Sequence, residues 1–252
     1  MTKAARQRAD QMLVERGLAE SRARAQALIM AGLVFSDTRR IEKPGQTLPG
    51  DAPLAVKGRA HPWVSRGGIK LDHAFGHFAI DPAGCVCLDV GASTGGFTDV
   101  LLARGAARVY AVDVGQGQLA WSLRQDARVI VLEKTNARYL TADEVPETVD
   151  LIVCDASFIG LETVLPAPLA RAGPEARLVA LIKPQFEVGK GRVGKGGVVH
   201  DPALHREVCE RIEAWLTAQP GWRVVGRSES PILGPEGNKE FLIAAARDAA
   251  AS

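Results

Sequence analysis

From residue 70 onward, short apolar runs alternate with helical stretches, and this alternation limits the fold more than any other feature of the sequence. The runs cover residues 85–90, 108–113, 129–132, 149–155 and 177–183. Residues 223–229 and 240–245 form a terminal pair, joined through a turn-rich connection at 232–238. A helix opens over 95–104. Continuous apolar strands separated by helices predict a doubly wound α/β fold, with a parallel sheet covered on both faces. Ligands of such sheets bind at the carboxyl ends of the strands.

The first quarter of the chain has a different grammar. Met12, Leu13 and Leu18, then Ala25, Leu28 and Ile29, recur at helical spacing and predict helices over 8–19 and 22–32. Gly17 and Gly32 are placed to end them, and Ser21 to cap the second. Extended runs at 33–35 and 53–57 follow, separated by Pro44-Gly45 and Pro49-Gly50 turns. The sequence therefore divides into a small α+β domain over 1–59, a linker over 60–68 containing Pro62 and Gly67-Gly68, and a larger domain over 69–252.

Charge follows the same division. The net charge is only +2, yet residues 1–66 hold 12 Lys/Arg against 6 Asp/Glu, while the remainder holds 19 against 23. A basic module on a near-neutral body suits a polyanionic partner; a solvated basic face is the plainer alternative. No run approaches the roughly 18–20 apolar residues of a membrane span, and the first ten residues lack an apolar signal segment. A cytoplasmic location without a membrane partner is expected. Cys85, Cys87, Cys154 and Cys209 show no zinc-ligand spacing and read as reduced structural thiols, so no metal is expected.

The strand C-V-C-L-D-V runs into G-A-S-T-G-G-F-T. Gly91, Gly95 and Gly96 let the backbone turn tightly beside a ligand, and the rest of the loop (Ala92, Ser93, Thr94, Phe97) shares that wall. Asp113 ends the second strand 22 residues after Gly91, where a carboxylate can accept the ribose hydroxyls of an adenosine, with Val114 next to it. Ser93 stands where a dinucleotide loop has its second glycine, and Asp89 precedes the first glycine by two residues. These departures favour S-adenosyl-L-methionine over NAD. That cofactor has no pyrophosphate, and its cationic end suits acidic neighbours such as Asp89 and Asp155. The alternative for Asp89 is a buried carboxylate that only braces the loop amides. Asn136, in K-T-N-A-R, is placed to meet the adenine edge or to be an ordinary turn residue.

Four charged residues fall at strand ends or helix starts: Lys70, Asp155, Lys183 and Glu240. Lys183 is the most informative. It follows five largely apolar residues and precedes a proline, and a lysine there is costly to desolvate. An alcohol is a poor nucleophile at neutral pH, so methyl transfer to one needs a positioned base; a lysine serves only when its pKa is lowered. Any one of the four is also readable as a solvated strand end.

The runs W-V-S-R-G-G-I-K-L, L-D-V-G-A-S-T-G-G-F-T, D-V-G-Q-G-Q-L-A-W, K-T-N-A-R, K-P-Q-F-E-V-G-K-G and G-G-V-V-H-D-P span nearly the whole chain. They resemble the TlyA-type haemolysin family of ribosomal RNA 2′-O-methyltransferases, within the Rossmann-like FtsJ superfamily. The resemblance implies a Lys-Asp-Lys-Glu tetrad of Lys70, Asp155, Lys183 and Glu240, with Lys183 taking the hydroxyl proton. It also implies S-adenosylmethionine as cofactor, cytidines of rRNA in ribosomal subunits as substrate, and a monomer in solution. R-A-D-Q-M-L-V-E-R-G-L-A-E-S-R-A-R-A resembles the first two helices of the small RNA-binding domain shared with a ribosomal protein and pseudouridine synthases. Arg6, Arg8, Arg22 and Arg24 would then face phosphates. One departure is V-F-S-D-T-R-R-I, whose turn lacks the usual glycine.

G-K-G-R-V-G-K-G-G nearly spells a nucleotide-binding P-loop, but Gly196 stands where Ser or Thr must hold magnesium, which excludes an ATPase. A basic glycine-rich loop instead suits RNA phosphates through Lys190, Arg192 and Lys195; a simple flexible loop is the alternative. A membrane-lysing protein should show a span or a strongly amphipathic helix, and neither is visible.

Overall fold

The computed structural model describes residues 6–19, 21–57, 61–189, 191–234 and 237–248. The chain forms two compact units, Met1–Pro62 and Trp63–Ser252.

The first unit contains β1 (Arg6–Arg8), α1 (Ala9–Glu15), α2 (Arg22–Met30), β2 (Val34–Ser36), β3 (Arg39–Arg40), β4 (Thr47–Pro49) and β5 (Ala55–Val56). Strand β1 pairs with β4, and β2 lies between β3 and β5. Met12 and Leu13 of α1 pack with Ala25, Leu28 and Ile29 of α2, and Val34, Ile41 and Leu48 complete the core. Ser21 Oγ accepts the Arg24 amide at 3.2 Å and caps α2. The glycine-free hairpin between β2 and β3 is closed by Asp37 at φ +54°, a left-handed conformation that aspartate tolerates better than most side chains.

Asp10, in the first turn of α1, is wholly buried. Its carboxylate accepts Arg8 Nε and Nη2 at 2.9 and 2.8 Å, Arg22 Nε at 3.1 Å and Gln26 Nε2 at 3.0 Å. The Arg8 guanidinium above all holds the carboxyl well below the usual carboxylate range, against the opposing pull of burial.

The second unit contains α3 (Gly67–Phe78), β6 (Val86–Val90), α4 (Gly96–Ala103), β7 (Arg108–Val112), α5 (Trp121–Arg124), β8 (Val129–Leu132) and β9 (Val149–Cys154). It continues with α6 (Leu161–Val164), α7 (Pro166–Ala170), β10 (Ala172–Ile182), α8 (Pro184–Glu187), α9 (Pro202–Thr217), β11 (Trp222–Glu229) and β12 (Phe241–Arg247). One seven-stranded sheet runs in the order β11-β12-β10-β9-β6-β7-β8. Alternate residues feed two cores. Leu88, Ile152, Leu178 and Ile243 join the face that packs α6, α7 and α9. Cys87, Leu151, Val179 and Leu242 join the face that packs α3 and α4. The four cysteines are free thiols, and burial pushes Cys154 up to about 12 and Cys209 to about 11.

The sheet departs from the sequence reading in one respect. It is not wholly parallel: β12 is inserted between β10 and β11 and runs antiparallel to both. No helix of the described residues intervenes between β11 and β12, and without a crossover helix the chain returns antiparallel. Glu240 therefore does not start the last strand but immediately precedes it. The register pairs Ile182 with Phe241, so Lys183 and Glu240 leave the sheet side by side. Residues 63–68, read as linker, lie inside the second unit. The Val64 amide donates to Asp99 Oδ2 at 2.7 Å, and the Trp63 ring occupies the space a side chain at Gly68 would need. Hydrophobic burial of Trp63 outweighs the loop-like composition of this segment.

Asp10→Ala strips five donors of their shared acceptor, counting the Gln11 amide at 3.0 Å. We expect a loss of about 1–3 kcal/mol, read as a lower urea midpoint for the first unit. Because the folded carboxyl is depressed, its contribution is present above the ordinary carboxylate value near 4 and disappears as pH falls through the folded value. The difference between wild type and variant should therefore shrink in acid.

Candidate active site

Strands β7 and β8 lie on one side of β6, and β9 and β10 on the other. A cavity of about 590 Å³ opens at the carboxyl ends of β6, β9 and β10. Gly91, Ala92, Ser93, Thr94, Gly96, Phe97 and Asp155 line it. Gly91 adopts φ +84°, and a Cβ there would sit 2.9 Å from both N and Cα of Ala156. The loops after β6 and β9 touch backbone to backbone, which only glycine permits.

Asp113 braces this wall. Its Oδ2 accepts the Ser93 amide at 2.8 Å and its Oδ1 the Gly115 amide at 2.6 Å. Asp89 lies behind the wall, wholly buried, and accepts the Thr98 hydroxyl at 2.6 Å. Burial pushes its carboxyl up to about 7, with the Thr98 hydrogen bond opposing. Gly95 also lies behind the lining, against Leu123. Val114 is exposed, and Asn136 caps the short turn Ala137–Tyr139 by accepting the Arg138 amide at 3.1 Å; neither belongs to the cavity wall.

Lys70, Asp155, Lys183 and Glu240 all line the one cavity. They form two ion pairs. Lys183 Nζ lies 2.6 Å from Asp155 Oδ1, and also donates to the Asp155 carbonyl at 3.0 Å and to Ser157 Oγ at 2.8 Å. Lys70 Nζ lies 2.5 Å from Glu240 Oε2. Both lysines and Glu240 are buried, while Asp155 is partly open. Oε1 of Glu240 is buried without a hydrogen-bond partner.

Several lining residues were not singled out from the sequence: Ser157, Phe158, Gln185, Phe186 and Asn238. All lie within three residues of a strand-end charge, and that proximity was the available signal. Phe158 is 89% exposed at φ +65°, with its ring 4.9 Å from that of Phe186. Asn238 accepts the Val199 amide at 3.1 Å and donates to the Gly197 carbonyl at 3.0 Å, which fixes the end of the glycine-rich loop. Of the basic residues expected to meet phosphate, Arg192 is paired with Glu207. Arg6 donates to Thr47, Arg8 and Arg22 reach Asp10 while remaining about half exposed, and Arg24 is exposed. Lys190 and the side chain of Lys195 lie outside the described residues.

The FtsJ-like methyltransferase family matches residues 63–247, and the S4 domain matches residues 7–52. The chain belongs to the FtsJ-like methyltransferases. It is 53% identical to the 16S/23S rRNA (cytidine-2′-O)-methyltransferase TlyA of Mycobacterium tuberculosis, over 95% of this chain and 90% of that one. It is 38% identical to Hemolysin A of Brachyspira hyodysenteriae, over 93% of this chain and 98% of that one. Among solved structures, a hemolysin-like protein from Streptococcus thermophilus superposes with a TM-score of 0.75 at 40% identity, covering 96% of this chain and 89% of that one. Among the described residues, no helix is long and apolar enough to cross a membrane, and no cluster of three metal-ligating side chains occurs.

The raised Asp89 carboxyl gives this FtsJ-like domain a pH signature. Between an unfolded value near 4 and the folded value of about 7, the folded state holds a proton that the unfolded state has lost. Stability therefore falls as pH rises through that window, by up to about 1.4 kcal/mol per pH unit, and levels off above it. Asp89→Asn should remove this slope, measured as urea midpoints from pH 5 to 8. An unchanged slope would contradict the assignment.

Proposed function

We propose that the protein transfers a methyl group from S-adenosylmethionine to the 2′-hydroxyl of cytidines in ribosomal RNA, with Lys183 as general base. The observation that carries this reading is the pairing of Lys183 with Asp155, 2.6 Å apart, in a cavity that the Lys70–Glu240 pair also lines.

The residues present fit the cofactor. The cavity-lining loop from Gly91 to Thr94 carries only small side chains. Asp113 presents a partly exposed carboxylate suited to ribose hydroxyls, and Val114 and Asn136, which lie outside the cavity lining, would meet the adenine beyond it. Asp155 would face the amino end of the methionine moiety. S-adenosylmethionine, when bound, supplies an electrophilic methyl group.

The protein's own task is to prepare the alcohol. In its neutral form the Lys183 amine has two N–H bonds and one lone pair. Asp155 can hold both N–H bonds, through its carboxylate and its carbonyl, so the lone pair faces the cavity in place of the contact to Ser157. A ribose hydroxyl there gives its proton to Nζ as its oxygen takes the methyl group. The unpartnered Oε1 of Glu240 is placed to accept a hydrogen bond from the sugar, and Lys70 orients that carboxylate.

The N-terminal module would hold the RNA. The S4 match and the basic excess of residues 1–66 support this role. Arg6, Arg8, Arg22 and Arg24 would meet phosphates there; Lys190, Arg192 and Lys195 would do so on the catalytic domain, with Arg192 exchanging Glu207 for phosphate. We take the working form to be a cytoplasmic monomer acting on ribosomal subunits.

Incubation with labelled S-adenosylmethionine and each ribosomal subunit, followed by mass spectrometry, should locate 2′-O-methylcytidine. Lys183→Ala should lower the rate by about 10²–10⁴-fold while RNA and cofactor affinities remain within a few-fold. Methylation on a base nitrogen or carbon, or full activity of the variant, would overturn the reading.

A further inference from the structure

Three oxygens in the cavity wall are buried with no hydrogen-bond partner: Oδ1 of Asp155, which faces the Lys183 ammonium at 2.6 Å, Oε1 of Glu240, already given a role, and Oε1 of Gln185. A buried amide oxygen left unpaired is destabilising, and its persistence needs a reason. Gln185 has no part in the chemistry derived above. We propose that Gln185 reads the target base, its Oε1 accepting a hydrogen bond from the exocyclic amine of cytosine. This inference rests on the proposed cytidine methylation and adds to it the residue that sets base identity.

Position along the sheet assigns this oxygen to the target and not to the cofactor. The adenosine determinants belong to β7 and the glycine loop to β6, whereas Gln185 follows β10, two strands from β6 on the opposite side from β7. It sits two residues beyond Lys183, the group that meets the target ribose, so it faces what that ribose carries. Its backbone is held firmly. Pro184 opens α8. Glu187 at the end of α8 accepts the Leu161 amide at 2.8 Å through Oε1, and Arg211 Nη2 through Oε2 at 2.9 Å. Arg211 also donates to the Glu187 carbonyl at 3.1 Å. The short helix is thereby tied to the loop that carries Asp155 and Ser157, and the amide of Gln185 is presented on a fixed frame.

The chemistry discriminates between pyrimidines. Cytosine offers an amino group at position 4, a donor that satisfies Oε1. Uracil offers a carbonyl oxygen there, which Oε1 cannot pair; to bind it the Gln185 amide must turn over and present Nε2 instead, so discrimination rests on the amide keeping the orientation seen here.

The test uses the full-length protein and ribosomal subunits that lack the modification, with the mapped target nucleotide either cytidine or changed to uridine. Wild type should prefer cytidine by roughly 10- to 100-fold in kcat/KM, the range expected for one well-placed base contact. Gln185→Ala should bring that ratio to within a few-fold of unity, chiefly by losing activity on cytidine. Gln185→Glu, which keeps an acceptor, should retain the preference. S-adenosylmethionine affinity by calorimetry should be unchanged in both variants, a readout that general loss of structure would move. A Gln185→Ala enzyme that still prefers cytidine as strongly as wild type overturns the assignment while leaving ribose methylation intact. If wild type methylates no ribose, the underlying reading fails and this one with it.

Discussion

Two ammonium–carboxylate pairs, buried where four chain segments meet, are the constraint on which the site depends. An isolated charge in such a place would cost several kcal/mol or give up its ionisation. Lys183 avoids this with Asp155, and Lys70 with Glu240. Each pair joins residues far apart in sequence, so neither can form until the sheet has assembled. The pairs also orient one another's surroundings. Asp155 grips the Lys183 amine by carboxylate and carbonyl together, leaving little rotational freedom at the atom proposed to receive a proton. A site built this way needs little reorganisation beyond exchange of the Ser157 contact when substrate arrives, and such preorganisation is what makes electrostatic groups effective in catalysis.

The backbone around the pairs is equally specific. Gly91 brings the β6 and β9 loops into van der Waals contact, and Asp113 stitches the β6 loop to the β7 loop through two amides. Arg211 and Glu187 do the same for the loops after β9 and β10. Carboxylates used as staples thus recur at successive strand ends. Their burial is tolerated because each accepts backbone amides or a guanidinium, which replaces the water it lost. The N-terminal unit applies the same device at Asp10, whose carboxylate collects two arginines and a glutamine. Those two arginines remain half exposed, a posture in which a guanidinium is oriented without being consumed.

Much of this was legible in advance where a local rule applies. Periodicity identified the strands and the two N-terminal helices, because the difference between a two-residue and a 3.6-residue repeat is written in consecutive residues. The glycine-loop wall and the three charges beside strand ends were legible because such positions face the crevice in any doubly wound sheet, and Lys70 because it opens a helix of the same domain. The readings that changed were those in which a long-range contact overrode local composition. Trp63–Gly68 looks like a linker until the Trp63 side chain is seen packed against the core beside Gly68 of α3. Strand β12 gives no local sign of its direction. Asn136 also caps a turn and Arg192 is paired with Glu207, contacts that come in addition to the ligand roles read from the sequence.

The amino-acid sequence by itself determined the class of fold, the division into a basic module and an α/β body, and the identity of the groups at the strand ends, since all of these follow from spacing and residue type. Only the tertiary structure decided which lysine pairs with which carboxylate, that β12 enters between β10 and β11 to bring Glu240 beside Lys183, and that one amide oxygen of Gln185 is buried unpaired. The physical reason is that pairing and desolvation are properties of neighbours in space. Residues 70 and 240, or 155 and 183, become neighbours only through the order and direction in which the strands hydrogen-bond.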